Sequence, residues 1–149
     1  MILLITFLSI ARIGPIPVPP AVAQAFATQF PHTHHSKWSA LPAGYQAIFR
    51  LDGQKCLAIY TSDAVWKETD YPVKWTRQLP PAVQKTWRNS GYNTWDLMGM
   101  KKIVTPAQTR YALHVGEVQS LGPDDTDIGS EYILYFSPEG ELMRKERVG

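Results

Sequence analysis

Pro19-Pro20-Ala21-Val22-Ala23-Gln24-Ala25-Phe26-Ala27-Thr28-Gln29-Phe30-Pro31 reads as one helix, and Leu79-Pro80-Pro81-Ala82-Val83-Gln84-Lys85-Thr86-Trp87-Arg88-Asn89-Ser90-Gly91-Tyr92 reads as a second copy of it. Proline suits the first helical turn, where its missing N–H would have had no intrahelical acceptor. Val22, Phe26 and Phe30 recur every four residues and so share one helix face. Pro31 stops the first helix, and Gly91 supplies the stop after the second. Pro-Pro-Ala-Val returns 61 positions on, at Val83, and Trp87 takes the place of Phe26. Two matching helices predict two matching units.

The residues after each helix bear that out as strands. Tyr45–Leu51 alternates, Asp52-Gly53 is a hairpin turn signal, and Cys56–Tyr60 returns beside it. In the second unit Tyr111–Val115 and Tyr132–Phe136 match these two strands. A turn follows each pair, at Ser62-Asp63-Ala64 and Pro138-Glu139-Gly140, and leads into Val65–Tyr71 and Leu142–Val148. Shorter strands are expected before them, around Lys37–Leu41 and Trp95–Val104. The fold class is therefore α+β. Tandem helix-plus-four-strand units build an antiparallel sheet of about eight strands, with two helices on one face. Residues 1–17 read as leader and linker, 18–78 as the first unit and 79–149 as the second, together forming one compact domain.

A helix needs an apolar face to lie on. Tyr45, Ala47, Phe49 and Leu51 share one side of their strand, and Cys56, Ala58, Tyr60, Tyr111, Leu113, Val115, Tyr132, Leu134 and Phe136 fall on the same side by register. The other side carries Ile48, Leu57, Ile59, Ala112, His114, Ile133 and Tyr135. That is more apolar than a free sheet surface usually is. A contiguous patch of this kind points to a partner; cover by loops or by the leader, or simple β-rich composition, would also account for it.

Composition narrows the function classes. The 149 residues are 44% hydrophobic and 19% charged, with a formal net charge of +2, so the chain is globular and has no basic stripe for nucleic acid. Cys56 is the single cysteine, which excludes an internal disulfide, and its alternating neighbours predict a buried thiol. Met1–Ala11 is almost wholly apolar but too short to span a bilayer, which takes about 20 residues. It fits the core of a secretory signal without its basic start, and no membrane span is expected after processing. Gly14–Pro20 is a proline-dense linker.

Chemistry is sparse. His32, His34 and His35 lie together, but a metal site needs a further ligand that the sequence does not show. The Asp124–Glu131 segment spaces acidic oxygens two apart without the register of a calcium loop, and a polar hairpin loop explains it more simply. Glu68 and Asp70 share a strand face and are expected to be solvated. No nucleophile motif, phosphate loop or zinc-protease motif is present. No catalytic residue, no metal site and no cofactor is expected. Trp38, Trp66 and Trp87 are expected to pack, whereas Trp75, in the connection, is expected to be partly exposed.

The order of these marks resembles the PepSY-like family related to beta-lactamase inhibitor protein, widespread among exported proteins of the Bacteroidetes. The marks are Pro-Pro-Ala-Val opening each helix, Phe30-Pro31, Lys37-Trp38, Gly44-Tyr45, Ile59-Tyr60 and Ser62-Asp63-Ala64-Val65-Trp66. They run from about Val18 to the C-terminus. Ala64 departs from the family's usual glycine, and the Leu121–Ser130 segment is longer than its counterpart Asp52–Lys55. The resemblance implies a periplasmic or secreted binding protein, not an enzyme, whose partner is another protein. Its open sheet face would grip or restrain a hydrolase, with Ile48, Leu57, Ile59, His114, Ile133 and Tyr135 as the partner-binding residues. A metal- or ion-binding envelope sensor and a self-associating structural protein are the alternatives.

Overall fold

The computed structural model describes residues 16–123 and 125–148. Helix α1 (Pro20–Gln29) precedes strands β1 (Ser36–Leu41), β2 (Gly44–Leu51), β3 (Gln54–Thr61) and β4 (Trp66–Pro72). A 3-10 turn at Thr76–Gln78 leads to α2 (Pro81–Arg88), then β5 (Asp96–Val104), β6 (Thr109–Gly122), β7 (Asp125–Phe136) and β8 (Leu142–Arg147). The order helix, four strands is thus read twice. All eight strands lie in one sheet in sequence order, and every neighbouring pair is antiparallel. The apolar leader Met1–Ala11 lies outside the described residues.

Neither helix has a side-chain cap, and each has proline in its first turn. Helices this short are marginal alone and depend on the face they bury. Val22, Phe26 and Phe30 pack on Ala47, Phe49, Cys56, Ala58 and Tyr60. Ala47 and Ala58 are direct cross-strand partners with no exposed surface, so the ring of Phe26 can settle 5.1 Å from that of Phe49 and 5.3 Å from that of Trp38. The Tyr60 hydroxyl donates to Gln29 Oε1 at 2.7 Å, tying sheet to helix, and burial pushes its pKa up to about 12. In the second half Leu79, Val83 and Trp87 pack on Leu113, Val115, Leu134 and Phe136. Each large apolar side chain so buried contributes roughly 1.5–3 kcal/mol.

The two cores share no residue, yet register places both helices on one face. Ala58 opposes Thr69, and the next position on that side, Tyr71, opposes Lys102, which opposes Tyr111 and then Phe136. The inward set expected from the alternation is thus the set that packs under the helices. At the Asp52-Gly53 hairpin both residues have positive φ (49° and 76°), as this two-residue turn requires. Cys56 is buried, and burial pushes its thiol pKa up.

One expectation fails. Leu121–Ser130 is not a long loop, because β6 runs to Gly122 and β7 resumes at Asp125, pairing through two register shifts. Val118 pairs with Ile128 in this extension. Polar residues between the apolar positions hid a strand whose partner is simply its own hairpin mate. Of the acidic oxygen ladder, Asp124 lies outside the described residues, and Asp125 and Asp127 are described only as backbone of β7.

Candidate functional site

Among the described residues no layer covers the sheet face opposite the helices. Register sets its contents strand by strand. Ile48 opposes Leu57, which opposes Asp70, then Ile103, then Arg110. Beside that row Ile59 opposes Glu68, Ala112 opposes Tyr135, and His114 opposes Ile133. So Ile48, Leu57, Ile59, His114, Ile133 and Tyr135 all sit on this face, and each is half-buried.

They do not form the contiguous apolar patch expected from the alternation. A charged seam divides them where β4 meets β5. Lys101 Nζ donates to Asp70 Oδ2 at 2.5 Å, and Arg110 Nη2 donates to Glu68 Oε2 at 3.3 Å. Glu68 and Asp70 are therefore not a solvated pair. Asp70 is 8% exposed, and its Oδ1 is buried without a hydrogen-bond partner, as is Nε of Arg110. Burial, reinforced by the neighbouring Asp70 carboxyl, raises the pKa of Glu68; Arg110 and Lys101 oppose this only in part. Ile103 lies buried among these charges, at 2% exposed.

The second half of the face is also polar between its apolar positions. His114 Nε2 lies 2.8 Å from Glu131 Oε2. The guanidinium carbons of Arg144 and Arg110 lie 4.5 and 5.4 Å from the centre of the Tyr135 ring. Arg144 Nη2 donates to Glu146 Oε2 at 2.6 Å. Both guanidinium groups are thus within cation–π reach of the ring. Two shallow depressions flank the Lys101 position. One, of about 260 Å³, is lined on the first-half side by Ile48, Leu57 and Asp70; the other, of about 300 Å³, is lined on the second-half side by Ala112, His114 and Ile133.

The remaining candidates are not brought together. His32, His34 and His35 are exposed, and no group of three metal-ligating side chains forms among the described residues. Trp38 and Trp66 pack against the first core, while Trp75 is 59% exposed. Sequence reasoning missed the seam. Its one available signal was the pairing of two acids two apart on β4 with Lys101 and Arg110 on the strands that follow, which only register makes visible.

The chain is similar to several solved crystal structures. A BLIP-like protein of Bacteroides fragilis shares 25% identity over 91% of this chain and 89% of that one, with a TM-score of 0.77. A DUF2874 family protein of Bacteroides ovatus shares 23% over 91% and 90%, with a TM-score of 0.79. A candidate periplasmic protein of Bacteroides eggerthii shares 23% over 89% and 91%, with a TM-score of 0.77. These likenesses carry the fold: an open antiparallel sheet with two helices, BLIP-like in form. No family model matches the chain, and no curated protein matches it. No helix among the described residues is long and apolar enough to cross a membrane.

Proposed function

We propose that the chain is an exported, non-catalytic binding module that holds a protein partner on its uncovered sheet face. The observation that carries this is the face itself. Large side chains, Ile59, Ile133 and Tyr135 among them, stand half-buried on a sheet face that no second layer covers among the described residues. Half-buried aromatic and aliphatic groups ringed by ordered ion pairs are the composition of a protein-binding surface. Two depressions beside a fixed charged seam suit a folded partner presenting side chains of its own. Similarity to a BLIP-like protein and to a candidate periplasmic one supports export and inhibitor-like binding. On this reading the partner is a hydrolase of the envelope or the surroundings.

The test is a pull-down from envelope extract with the immobilised chain, repeated with the double variant Ile59→Glu/Tyr135→Glu. The expected result is a specific partner that the variant no longer holds, while far-UV circular dichroism and the thermal midpoint stay close to those of the parent. A variant that unfolds would place this face in the core and remove the reading.

A further inference from the structure

At the β1 end of the same face the charge pattern changes. Elsewhere on the face a cation has an acid beside it: Lys101 with Asp70, Arg110 with Glu68, His114 with Glu131, Arg144 with Glu146. Here Arg50 on β2 directly opposes Lys55 on β3. Like charges placed opposite each other across an antiparallel pair repel and destabilise the pairing. Ser36 opposes Phe49 and Lys37 opposes Ile48, and His35 immediately precedes β1 at the Arg50 end. His35, Lys37, Arg50 and Lys55 then line one depression of about 380 Å³ with Ser36, Ile48 and Phe49.

No carboxylate lines this depression, and among the described residues neither Lys37, Arg50 nor Lys55 forms an ion pair. Arg50 Nη1 donates to the Gly53 carbonyl at 3.0 Å, which anchors the guanidinium at the hairpin end and leaves its other N–H groups available. Asp52, the nearest acid in sequence, sits in the exposed turn and lines no part of the depression.

We propose that this corner is an oxyanion-binding site, taking a phosphate group or a carboxylate carried on an apolar stem. Arg50, with its planar fork of donors, and the ammonium groups of Lys37 and Lys55 converge on the bound oxygens. His35 and the Ser36 hydroxyl offer further donors, and Ile48 gives the stem an apolar wall. The bound anion takes the place of the missing acid and removes the Arg50–Lys55 repulsion. The site does not depend on the face holding a protein.

A ligand that binds the folded chain raises its stability by mass action. Thermal melts with inorganic phosphate, with 3-phenylpropanoate and with chloride at matched ionic strength therefore test the site. The expected result is a saturable rise of about 2–4 °C over chloride with at least one of the two anions. Their ranking tells which source the site suits: phosphate ahead marks a phosphorylated ligand, phenylpropanoate ahead a side-chain or terminal carboxylate. Lys55→Glu turns the repelling pair into an attracting one. It is expected to melt higher than the parent in chloride and to bind the preferred anion about tenfold or more weakly. Backbone amide shifts in the parent should saturate at His35, Lys37, Arg50 and Lys55 in the same titration. No rise beyond chloride with either anion, or a rise that Lys55→Glu and Arg50→Gln both retain, overturns the proposal.

Discussion

Lys101 Nζ stands 2.5 Å from Asp70 Oδ2 and so fastens the two halves of the sheet across its centre. The halves have separate apolar cores, and β4 meets β5 only from Thr69 to Pro72 against Lys101 to Val104. Pro72 has no N–H to give to that ladder. The ion pair therefore fixes a joint that apolar packing leaves thin. It also fixes the relative placement of the two depressions beside it, so the proposed binding surface and the joint are one structure.

Lys101→Met should destabilise the chain by about 1–3 kcal/mol. The lysine side chain is 44% exposed, but the side chain of Asp70 is only 11% exposed and would be left as a largely buried carboxylate without its cation. The double variant Lys101→Met/Asp70→Leu should recover most of that loss, since it removes the stranded charge together with its partner. Urea denaturation of the parent, both single variants and the double variant gives the coupling. A near-zero coupling would show the pair to be a solvated surface contact.

Glu68 predicts the pH dependence of the same joint. Burial first, then the Asp70 carboxyl, raises its pKa above the ordinary 4.5. Between 4.5 and the raised value the folded chain binds more protons at this position than the unfolded chain does. The contribution is thus full below 4.5 and falls as pH rises through the folded pKa. Glu68→Gln lacks this titration. The stability of the variant relative to the parent should therefore increase as pH rises from about 4 to 8. Urea midpoints across that range check the slope, and a difference that stays flat would place Glu68 in water.

The helices, the strand order and the inward face were legible because each rests on a local period. Val22, Phe26 and Phe30 recur at four, while Ala47, Phe49, Cys56 and Ala58 alternate at two. The seam was not legible, because Asp70 and Lys101 are brought together by register between strands that a helix separates in sequence. A carboxylate on a strand reads as solvated until its cross-strand neighbours are known. The arm of β6 and β7 was missed for a related reason: Val118 and Ile128 stand among polar residues, and only their pairing marks them as strand. The basic corner at Arg50 and Lys55 lay in plain view beside a correctly read hairpin. Its meaning depends on which side chains β1 sets beside the hairpin, and β1 carries no acid, which again is a matter of register.

Val22 and Val83 hold equivalent places in the two helices, and both are fully buried. Val22→Ala and Val83→Ala should each cost about 1–3 kcal/mol, from lost apolar contact and the space left behind. Because the two cores share no member, the double variant should equal the sum within about 0.5 kcal/mol. Chemical denaturation of the three variants measures this. A strong departure from additivity would mean that the joint at β4 and β5 transmits packing strain between the cores.

The turns before β4 and β8 occupy matching places, and both need a residue at positive φ, with 64° at Ala64 and 88° at Gly140. The two positions should respond to exchange in opposite directions. Ala64 holds a left-handed conformation that crowds its Cβ against the backbone, and glycine relieves it. Against this stand the loss of a partly buried methyl and the greater freedom of glycine in the unfolded chain, so Ala64→Gly should gain about 0.5–1 kcal/mol. At Gly140 an added Cβ would meet the Ala82 carbonyl oxygen at 2.5 Å, on the backbone of α2, where no side chain can swing away. The same contact carries the hydrogen bond that the Thr86 hydroxyl donates to the Gly140 carbonyl at 2.7 Å. Gly140→Ala should therefore cost about 2–3 kcal/mol, from conformational strain together with displacement of α2 from the turn. Thermal midpoints of the two variants should move to opposite sides of the parent. Equal and small shifts would mean that the β7–β8 turn does not dock on α2, and that the second helix is held by its apolar face alone.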